Sequence, residues 1–353
     1  MHLFAPFELA GVTLKNRIAV SPMCQYSAEE GHPSSWHLVH LGSRAVGGAG
    51  LVMGEATAVT AEGRISPGDT GLWLDSQADA WAPIVRFIAE QGAVPGIQLA
   101  HAGRKASTAV PWDGGGPLDA EQGGWRPIFA PSALPFDERA IVPHAMTLDG
   151  IESVVNAFAD AARRALVAGF ELVELHAAHG YLLHEFLSPL ANRRNDEYGG
   201  PFENRVRLVR RVLAAVRGVW PERLPLCMRI SATDWLEGGW DLEQSCALAA
   251  LVKGEGVSLI DVSSGGVAPG AKIPVGPGYQ TPHAAEIRRR TGIPTAAVGM
   301  LVSPQQCDHV VRTGQADLVV MAREMLRDPY FPRRAAQALG VKLQAPKQYQ
   351  RAW

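Results

Sequence analysis

The chain has 353 residues, of which 47% are hydrophobic, and its formal net charge is -2. This length accommodates one large domain or two modest ones around a substantial core. The nearly balanced charge argues against nucleic acid or an anionic membrane surface as a partner, because such partners are held by bulk positive charge. The chain does not open with a basic and then an apolar segment, and it has no run of roughly 18 apolar residues. Neither a signal peptide nor a transmembrane helix is therefore predicted.

The cysteine content indicates a reducing compartment. The chain has four cysteines, Cys24, Cys227, Cys246 and Cys307, and no two of them form a C-x-x-C pair. That spacing disfavours a zinc ribbon or an iron–sulfur cluster. So few cysteines in a chain of this length do not form a disulfide framework, so a cytoplasmic protein is expected.

Short apolar runs recur along the chain, and helical patterns separate most of them. A hairpin is predicted first, over residues 7–14 around Gly11. The runs that follow predict eight strands, at residues 18–24 (where the apolar character stops at Pro22), 51–56, 93–99, 171–176, 224–230, 259–262, 295–298 and 318–322.

Strands that alternate with helices predict parallel pairing and right-handed crossovers. Eight such repeats indicate the α/β class and a closed (β/α)₈ TIM barrel, here one domain over residues 1–353; a doubly wound open sheet is the alternative. No G-x-G-x-x-G motif follows the first strand, which weakens that alternative. Among the helix starts, three N-caps with box partners are predicted, namely Asp149 with Glu152, Asp241 with Gln244, and Ser303 with Gln306.

One connection, after the third strand, is far longer than the others. Residues 105–148 are rich in glycine, proline and tryptophan and show little helical period. A structureless linker is one interpretation, and a folded excursion over the barrel mouth is the other. Trp112, Trp125, Phe129 and Phe136 favour the folded excursion, because linkers seldom carry so many aromatic residues.

Three polar aromatic residues lie where the fourth predicted strand ends. His176, His179 and Tyr181 fall within six positions. Two imidazoles can hydrogen-bond one substrate oxygen, and a phenol beside them can donate a proton. Each could instead be an ordinary polar residue at a strand end, or the histidines could bind a metal, although no third ligand is obvious nearby. Three such residues at one strand end favour a catalytic site.

Because barrel enzymes carry their chemistry at the carboxyl ends of the strands, polar residues at the other strand ends are candidates for the same site. Arg229 stands inside the apolar run LPLCMRI, where it is costly unless it faces a ligand or forms a salt bridge, for which Glu174 is a candidate. Gly299 and Arg323 fit a phosphate site built by the last two loops. No lysine ends a strand, which disfavours a Schiff-base aldolase, although Lys105 and Lys272 in loops keep it open.

Several longer motifs carry a family resemblance. The most specific is HAAHGYLLHEFLSPLANRRNDEYGGPFENR, at residues 176–205, and others are SPMCQY, QLAHAGRKA and DVSSGG. With LFAPFELAGVTLKNR near its start and QYQRAW at its end, the chain resembles the Old Yellow Enzyme family of flavin-dependent ene-reductases over essentially its whole length. Cys24 within SPMC, together with QYQRAW, is similar to the branch often called thermophilic-like.

The resemblance implies FMN bound noncovalently at the barrel mouth, with NADPH or NADH as the hydride donor. It implies that Arg229 lies where negative charge gathers in the reduced ring, which a fixed guanidinium stabilises. The cofactor-binding residues that it implies are Ser21, Pro22, Met23, Cys24, Ala56, Gln98, Arg229, Ser263, Gly299, Ala322 and Arg323.

The resemblance also implies the reaction, which is reduction of the C=C bond of activated alkenes such as unsaturated ketones, aldehydes, maleimides and nitroalkenes. His176 and His179 would bind the activating oxygen, Tyr181 would protonate the α-carbon, and Cys24 would tune the flavin. Tyr26 and Arg351 complete the implied substrate contacts. The alternatives are a related FMN oxidoreductase acting mainly on quinones or nitro compounds, and a non-catalytic flavin- or ligand-binding barrel.

The last residues, 344–353, contain Tyr349, Arg351 and Trp353, an unusual content for a free tail. The two aromatic residues could simply pack against their own barrel. In the branch that the chain resembles, this segment crosses a dimer interface. The resemblance therefore implies a homodimer, or a dimer of dimers, in which Arg351 enters the neighbouring active site.

Overall fold

Eight parallel strands close into a barrel, in the order in which they follow one another along the chain. The structure, a computed structural model, describes residues 2–353. Its strands are β1 (Phe7–Leu9), β2 (Val12–Leu14), β3 (Ile18–Val20), β4 (Leu51–Ala58), β5 (Val94–Ala100), β6 (Phe129–Ala130), β7 (His144–Ala145), β8 (Leu172–Ala177), β9 (Leu226–Ser231), β10 (Leu259–Ser263), β11 (Thr295–Val298) and β12 (Leu318–Met321). The barrel consists of β3, β4, β5 and β8 to β12, and β1 and β2 form the antiparallel hairpin predicted before it. The predicted (β/α)₈ barrel is confirmed.

Helices cover the outside of the barrel between most successive strands. They are α1 (Ser35–Val46), α2 (Asp75–Glu90), α3 (Leu148–Ala168), α4 (Leu182–Leu187), α5 (Phe202–Arg205), α6 (Arg207–Arg217), α7 (Leu242–Gly254), α8 (Thr281–Thr291), α9 (Pro304–Arg312), α10 (Arg323–Arg327) and α11 (Phe331–Ala338). Within residues 2–353, no helix is both long enough and apolar enough to cross a membrane.

The core lies between the barrel and this helical layer. Every residue of β4 and β5 is buried, including Glu55, Thr57 and Gln98, so neither strand shows the alternating pattern of a half-buried strand. Trp81 on α2 contacts Phe170 edge to face, with ring centroids 5.5 Å apart, and both side chains are fully buried. Truncating such a residue to alanine typically costs about 3–5 kcal/mol, so helix and barrel stabilise each other.

Local sequence signals correctly predicted the N-cap residue of two of the three helices. Ser303 and Asp241 cap α9 and α7 as predicted, because their side chains accept the backbone N–H groups of Gln306 and Gln244 at 3.1 and 2.9 Å. The prediction for α3 was wrong by two residues. Thr147 is its N-cap and accepts the N–H of Gly150 at 3.1 Å, so Asp149 lies in the first turn.

The long connection after β5 is folded, as its aromatic content predicted. Trp125 donates its indole N–H to the carbonyl of Glu62 at 3.0 Å, and the Arg64 guanidinium lies 4.9 Å from its ring centroid. Ile128 is buried with Ala102 in a small second core, and β6 pairs with β7. The excursion therefore forms a wall beside the barrel mouth.

The C-terminal segment lies against α11 of its own chain. Trp353 stacks on Tyr330 with ring centroids 6.4 Å apart, and Tyr349 lies 6.2 Å from the same ring. Tyr349 and Trp353 nevertheless remain 41% and 44% exposed, and Arg351 is exposed between them. The aromatic residues do pack on their own barrel, but incompletely.

Candidate active site at the carboxyl ends of the strands

His176, His179 and Tyr181 meet where β8 ends, as the sequence predicted. The ring of His176 contacts both others edge to face, with centroids 5.2 Å from His179 and 4.9 Å from Tyr181. His176 is the last but one residue of β8, and Tyr181 is the N-cap of α4, so the strand-to-helix turn brings all three together. Within residues 2–353, no group of three or more His, Cys, Asp or Glu side chains is placed to hold a metal ion.

The hydrogen bonds of His176 determine where its ring proton lies. Its Nδ1 accepts the backbone N–H of Ala178 at 3.3 Å, so the neutral ring carries its proton on Nε2. Burial, with His179 and Arg229 nearby, lowers the pKa of His176 well below its usual value, and burial lowers that of His179 in the same way. Both rings are therefore neutral, and His176 Nε2 is a hydrogen-bond donor.

Neighbouring strands hold His179 in place. Its backbone has φ +59° and its N–H donates to Ser231 Oγ at 3.0 Å. Its Nε2 lies 2.7 Å from Ser263 Oγ at the end of β10. When Ser263 donates in this bond, the proton of the His179 ring lies on Nδ1, and that atom becomes a second donor.

Two glycines make this turn possible. A Cβ on Gly180 would lie 2.2 Å from the carbonyl oxygen of Gly266, and a Cβ on Gly266 would lie 2.8 Å from the Cα of His179. Both glycines have positive φ, of +74° and +92°. The loops after β8 and β10 thus touch through their backbones, which only glycine permits.

Tyr181 is a protonated phenol across the working pH range. Burial, together with Cys24, Tyr26 and Asp69, raises its pKa well above the usual value. Burial also raises the pKa of Cys24, so this residue is a thiol and not a thiolate, and it lies beside Tyr26. The structure therefore brings together one potential acid, one thiol and a second phenol. Ala56 lines a small cavity with Tyr181, and Met23 packs on the core.

Arg229 is the buried charge of the site, as expected, but its main partner was not predicted. Its Nε donates to Asp261 Oδ2 at 2.8 Å, whereas Glu174 Oε1 is 3.8 Å away. Strand register explains the difference, because Asp261 pairs directly with Arg229 between β9 and β10. Arg229 also donates to Ser21 Oγ at 3.1 Å. Gln98 Nε2 donates to Glu174 Oε1 at 2.7 Å, so it joins the same cluster.

A cleft of about 1330 Å³ runs from this cluster to the ends of β11 and β12. The predicted site residues that line it are Ser21, Pro22, His179, Arg229, Ser263, Gly299, Ala322 and Arg323. Gly299 has φ +124°, and a Cβ there would lie 3.0 Å from Gln280 Nε2. Arg327, which sequence reasoning missed, also lines the cleft, where its Nε donates to Glu324 Oε2 at 3.1 Å.

The excursion forms a separate cavity of about 980 Å³ on the other side of Tyr181. Lys105 donates to the carbonyl of His179 at 2.8 Å, and its Nζ lies 5.6 Å from the Tyr181 ring centroid. Burial first, opposed by Glu185, lowers the pKa of Lys105 to about 8. Arg351 lines neither this cavity nor the cleft.

Known proteins are similar to this chain in both sequence and fold. The profile of the NADH:flavin oxidoreductase / NADH oxidase family matches residues 2–341. The chain belongs to that family. It is 49% identical over 353 residues to the NADPH dehydrogenase of Geobacillus thermodenitrificans (strain NG80-2), covering 99% of this chain and 98% of that protein.

Solved structures of similar proteins have the same fold as this chain. An Old Yellow Enzyme homologue from Zymomonas mobilis is 27% identical with a TM-score of 0.78, covering 99% of this chain and 98% of its own. A 2-naphthoyl-CoA reductase complex is 26% identical with a TM-score of 0.86, but this chain, 96% of which is covered, spans only 52% of that protein. The resemblance to the Old Yellow Enzyme family is confirmed.

The protein is therefore an FMN-dependent oxidoreductase that uses a reduced nicotinamide nucleotide. The residues present fit FMN. The cleft has the Arg323 guanidinium just after β12, where a phosphate would bind, and the Arg229 guanidinium at its inner end, where a flavin ring would lie. Apolar walls from Pro22, Val298 and Val320 lie between the two ends.

Proposed function

We propose that the protein is an ene-reductase, which reduces the C=C bond of activated alkenes at the expense of NADPH or NADH. One observation carries the proposal, namely that two neutral imidazole rings and one protonated phenol contact each other beside the flavin cleft. Neutral N–H donors polarise a carbonyl or nitro oxygen, and a phenol supplies a proton to carbon.

Bound FMN supplies the hydride for this chemistry. His176, through Nε2–H, and His179, through Nδ1–H, bind the activating oxygen and draw electron density from the double bond. Ser263 supports this role when its hydroxyl donates to His179 Nε2, because the ring proton of His179 then lies on Nδ1. Tyr181 donates its hydroxyl proton to the α-carbon, and Cys24 and Tyr26 lie near enough to help raise its pKa. The high pKa of Tyr181 keeps its hydroxyl protonated until the α-carbon of the substrate accepts the proton.

Turnover tests the proposal against its alternatives. We expect 2-cyclohexenone and NADPH to give cyclohexanone, identified by gas chromatography. Consumption of NADPH with quinones or nitro compounds, but with no alkene as substrate, would assign a different FMN oxidoreductase. A flavin-loaded protein that consumes no NADPH with any of these acceptors would indicate a non-catalytic binding barrel.

Tyr181→Phe tests the proposed acid, because phenylalanine keeps the ring that packs on His176. We expect alkene reduction to slow by about 10²–10⁴-fold, while reduction of the flavin by NADPH is unchanged. Stopped-flow measurement of each half-reaction gives these two rates separately. Tyr198→Phe, at a buried tyrosine whose hydroxyl accepts from Arg211 at 2.7 Å, is the matched control. Equal damage to both half-reactions would show that Tyr181 is structural.

We further propose a homodimer, or a dimer of dimers, in which Arg351 of each chain acts in the neighbour's active site. The exposed aromatic residues Tyr349 and Trp353 support this, because a partner would cover them. The permanent charge and planar fork of arginine suit a carbonyl or anion at a site mouth.

Mixed dimers test this arrangement. Chains carrying Arg351→Ala are combined with chains carrying Tyr181→Phe, so that one site holds an intact Tyr181 and receives an intact Arg351. We expect activity above the sum of the two variants alone. No recovery, despite subunit exchange shown by native mass spectrometry, would mean that Arg351 serves its own barrel or none.

A further inference from the structure

The cluster around Arg229 holds more acid than base. Arg229 is one cation, whereas Asp261 and Glu174 are two carboxyl groups, and all three side chains are almost completely buried. Two ionised carboxylates would leave a net negative charge in a dry interior, which is strongly unfavourable. One carboxyl group must therefore carry a proton or meet further positive charge.

Contacts determine which of the two carboxyl groups carries the proton. Asp261 makes the close contact to Arg229, with Nε and Oδ2 at 2.8 Å, and pairs with it between the strands. Glu174 is 3.8 Å from the same Nε and accepts instead from the neutral amide of Gln98. Burial first and then Asp261, opposed by Arg229 and Gln98, raise the pKa of Glu174 to about 8. Asp261 keeps the ion pair, and Glu174 holds the proton.

The other groups that face Glu174 do not change this assignment. Cys227 lies opposite it across β8 and β9, and burial, followed by Glu174 and Asp261, raises the pKa of that thiol, so it is neutral. His176 pairs with Arg229 and is neutral as well. Arg229 and Asp261 are thus the only charges that the described residues place against Glu174.

We propose that Glu174 exchanges one proton with solvent in step with the negative charge that reaches the flavin site beside Arg229. The inference rests on the FMN site and not on alkene reduction. A hydride from the nicotinamide brings two electrons and one hydrogen nucleus, and so adds one negative charge. One solvent proton then binds the Glu174 carboxylate; no other bond on the protein forms or breaks, and the charge of the cluster balances.

The effect has a defined pH window. Below about pH 7, Glu174 already holds its proton, so cofactor reduction does not change the protonation of Glu174 at those pH values. At about pH 9 it is ionised while the flavin ring is neutral, and it takes up a proton when the ring becomes negative. Glu174 is therefore a positioning and tuning residue, and it does not contact the substrate.

Glu174→Gln tests the inference, because glutamine keeps an acceptor for Gln98 and removes the proton site. FMN-loaded protein is photoreduced with EDTA as the electron donor and without any alkene, and proton uptake is measured with a pH indicator. At about pH 9 we expect the wild-type protein to take up close to one more proton per flavin than Glu174→Gln does, and at about pH 6.5 we expect equal uptake. The slope of midpoint potential against pH should change in parallel. Equal uptake at both pH values would overturn the proposal.

Glu185→Gln is the matched control. Glu185 is also fully buried, and burial first, opposed by Arg104, raises its pKa to about 8 as well, but it lies beside Arg104 and away from Arg229. This variant should take up protons as the wild-type protein does. If Glu174→Gln fails to fold or to hold FMN, infrared difference spectra of the wild-type protein test whether Glu174 gains a proton on reduction. A carboxylic acid C=O band should appear on reduction at about pH 9, and its absence would overturn the proposal.

Discussion

Two arginines near the barrel mouth, Arg229 and Arg104, are equally buried, at 4% exposure each, but they face different groups. Arg229 faces two carboxyl groups. Arg104 donates to three backbone carbonyls, of Val267 at 2.5 Å and of Leu134 and Pro135 at 3.3 and 3.4 Å. Its only acidic contact is through its backbone N–H, which donates to Glu185.

The partners give the two guanidiniums different roles. Burial lowers the pKa of Arg104, and nothing outweighs it. Burial acts on Arg229 too, but Asp261 and Glu174 outweigh it and raise the pKa of Arg229. Carboxylates thus make Arg229 the centre of a charged cluster, for which we propose a cofactor-binding role, whereas carbonyls make Arg104 a clamp between the excursion and the loop after β10.

Arg229→Met should have the largest effect. It leaves Asp261 without its cation, and breaking a buried ion pair in this way typically costs about 3–5 kcal/mol. We expect a corresponding loss in the free energy of unfolding and little FMN retained, measured by urea titration and by the flavin-to-protein absorbance ratio. The double variant Arg229→Met with Asp261→Asn should regain stability but not FMN. A double variant as unstable as the single one would contradict the electrostatic role.

Arg104→Met should have a smaller and more local effect. It leaves buried carbonyls without a donor, which costs about 1–3 kcal/mol. We expect faster hydrogen exchange and proteolysis within residues 105–148, while the flavin absorption spectrum stays unchanged. Loss of FMN comparable to that in Arg229→Met would show that the two arginines do not differ in role.

The smallest effect, counted per pH unit, concerns the pH dependence of stability. A glutamate carboxyl group has a usual pKa of 4.5, and burial, opposed by Arg104, raises the pKa of Glu185 to about 8 in the folded protein. Between these values the folded protein holds a proton that the unfolded chain has lost, so stability falls as pH rises, by at most ~1.4 kcal/mol per pH unit.

Glu185→Gln should make that decline shallower in urea unfolding of the apoprotein between about pH 5 and pH 8. A second variant, Glu255→Gln at a surface pair with Arg210, should leave the slope unchanged. An identical slope in Glu185→Gln and the wild-type protein would mean that Glu185 is ionised in the fold.

The sequence predicted the barrel well, because apolar runs and capping residues are local signals. It also singled out His176, His179 and Tyr181, which lie within one short segment and are in contact in the structure; their catalytic role stays a prediction. Asp261 was missed because its partner is set by the register between β9 and β10, and a single acid in an apolar run does not reveal that register. Ser263 was predicted only as a cofactor contact, since its bond to His179 joins strands that are far apart in the chain.

The touching backbones of Gly180 and Gly266 have a consequence for any attempt to reshape the pocket. His179 cannot be moved by changing its own loop alone, because the loop after β10 occupies the space into which it would shift. A library that randomises residues 179–181 should therefore yield mostly inactive or misfolded proteins unless residues 264–267 vary with them. The two loops should therefore be varied together, although residues 182–263 lie between them in the chain.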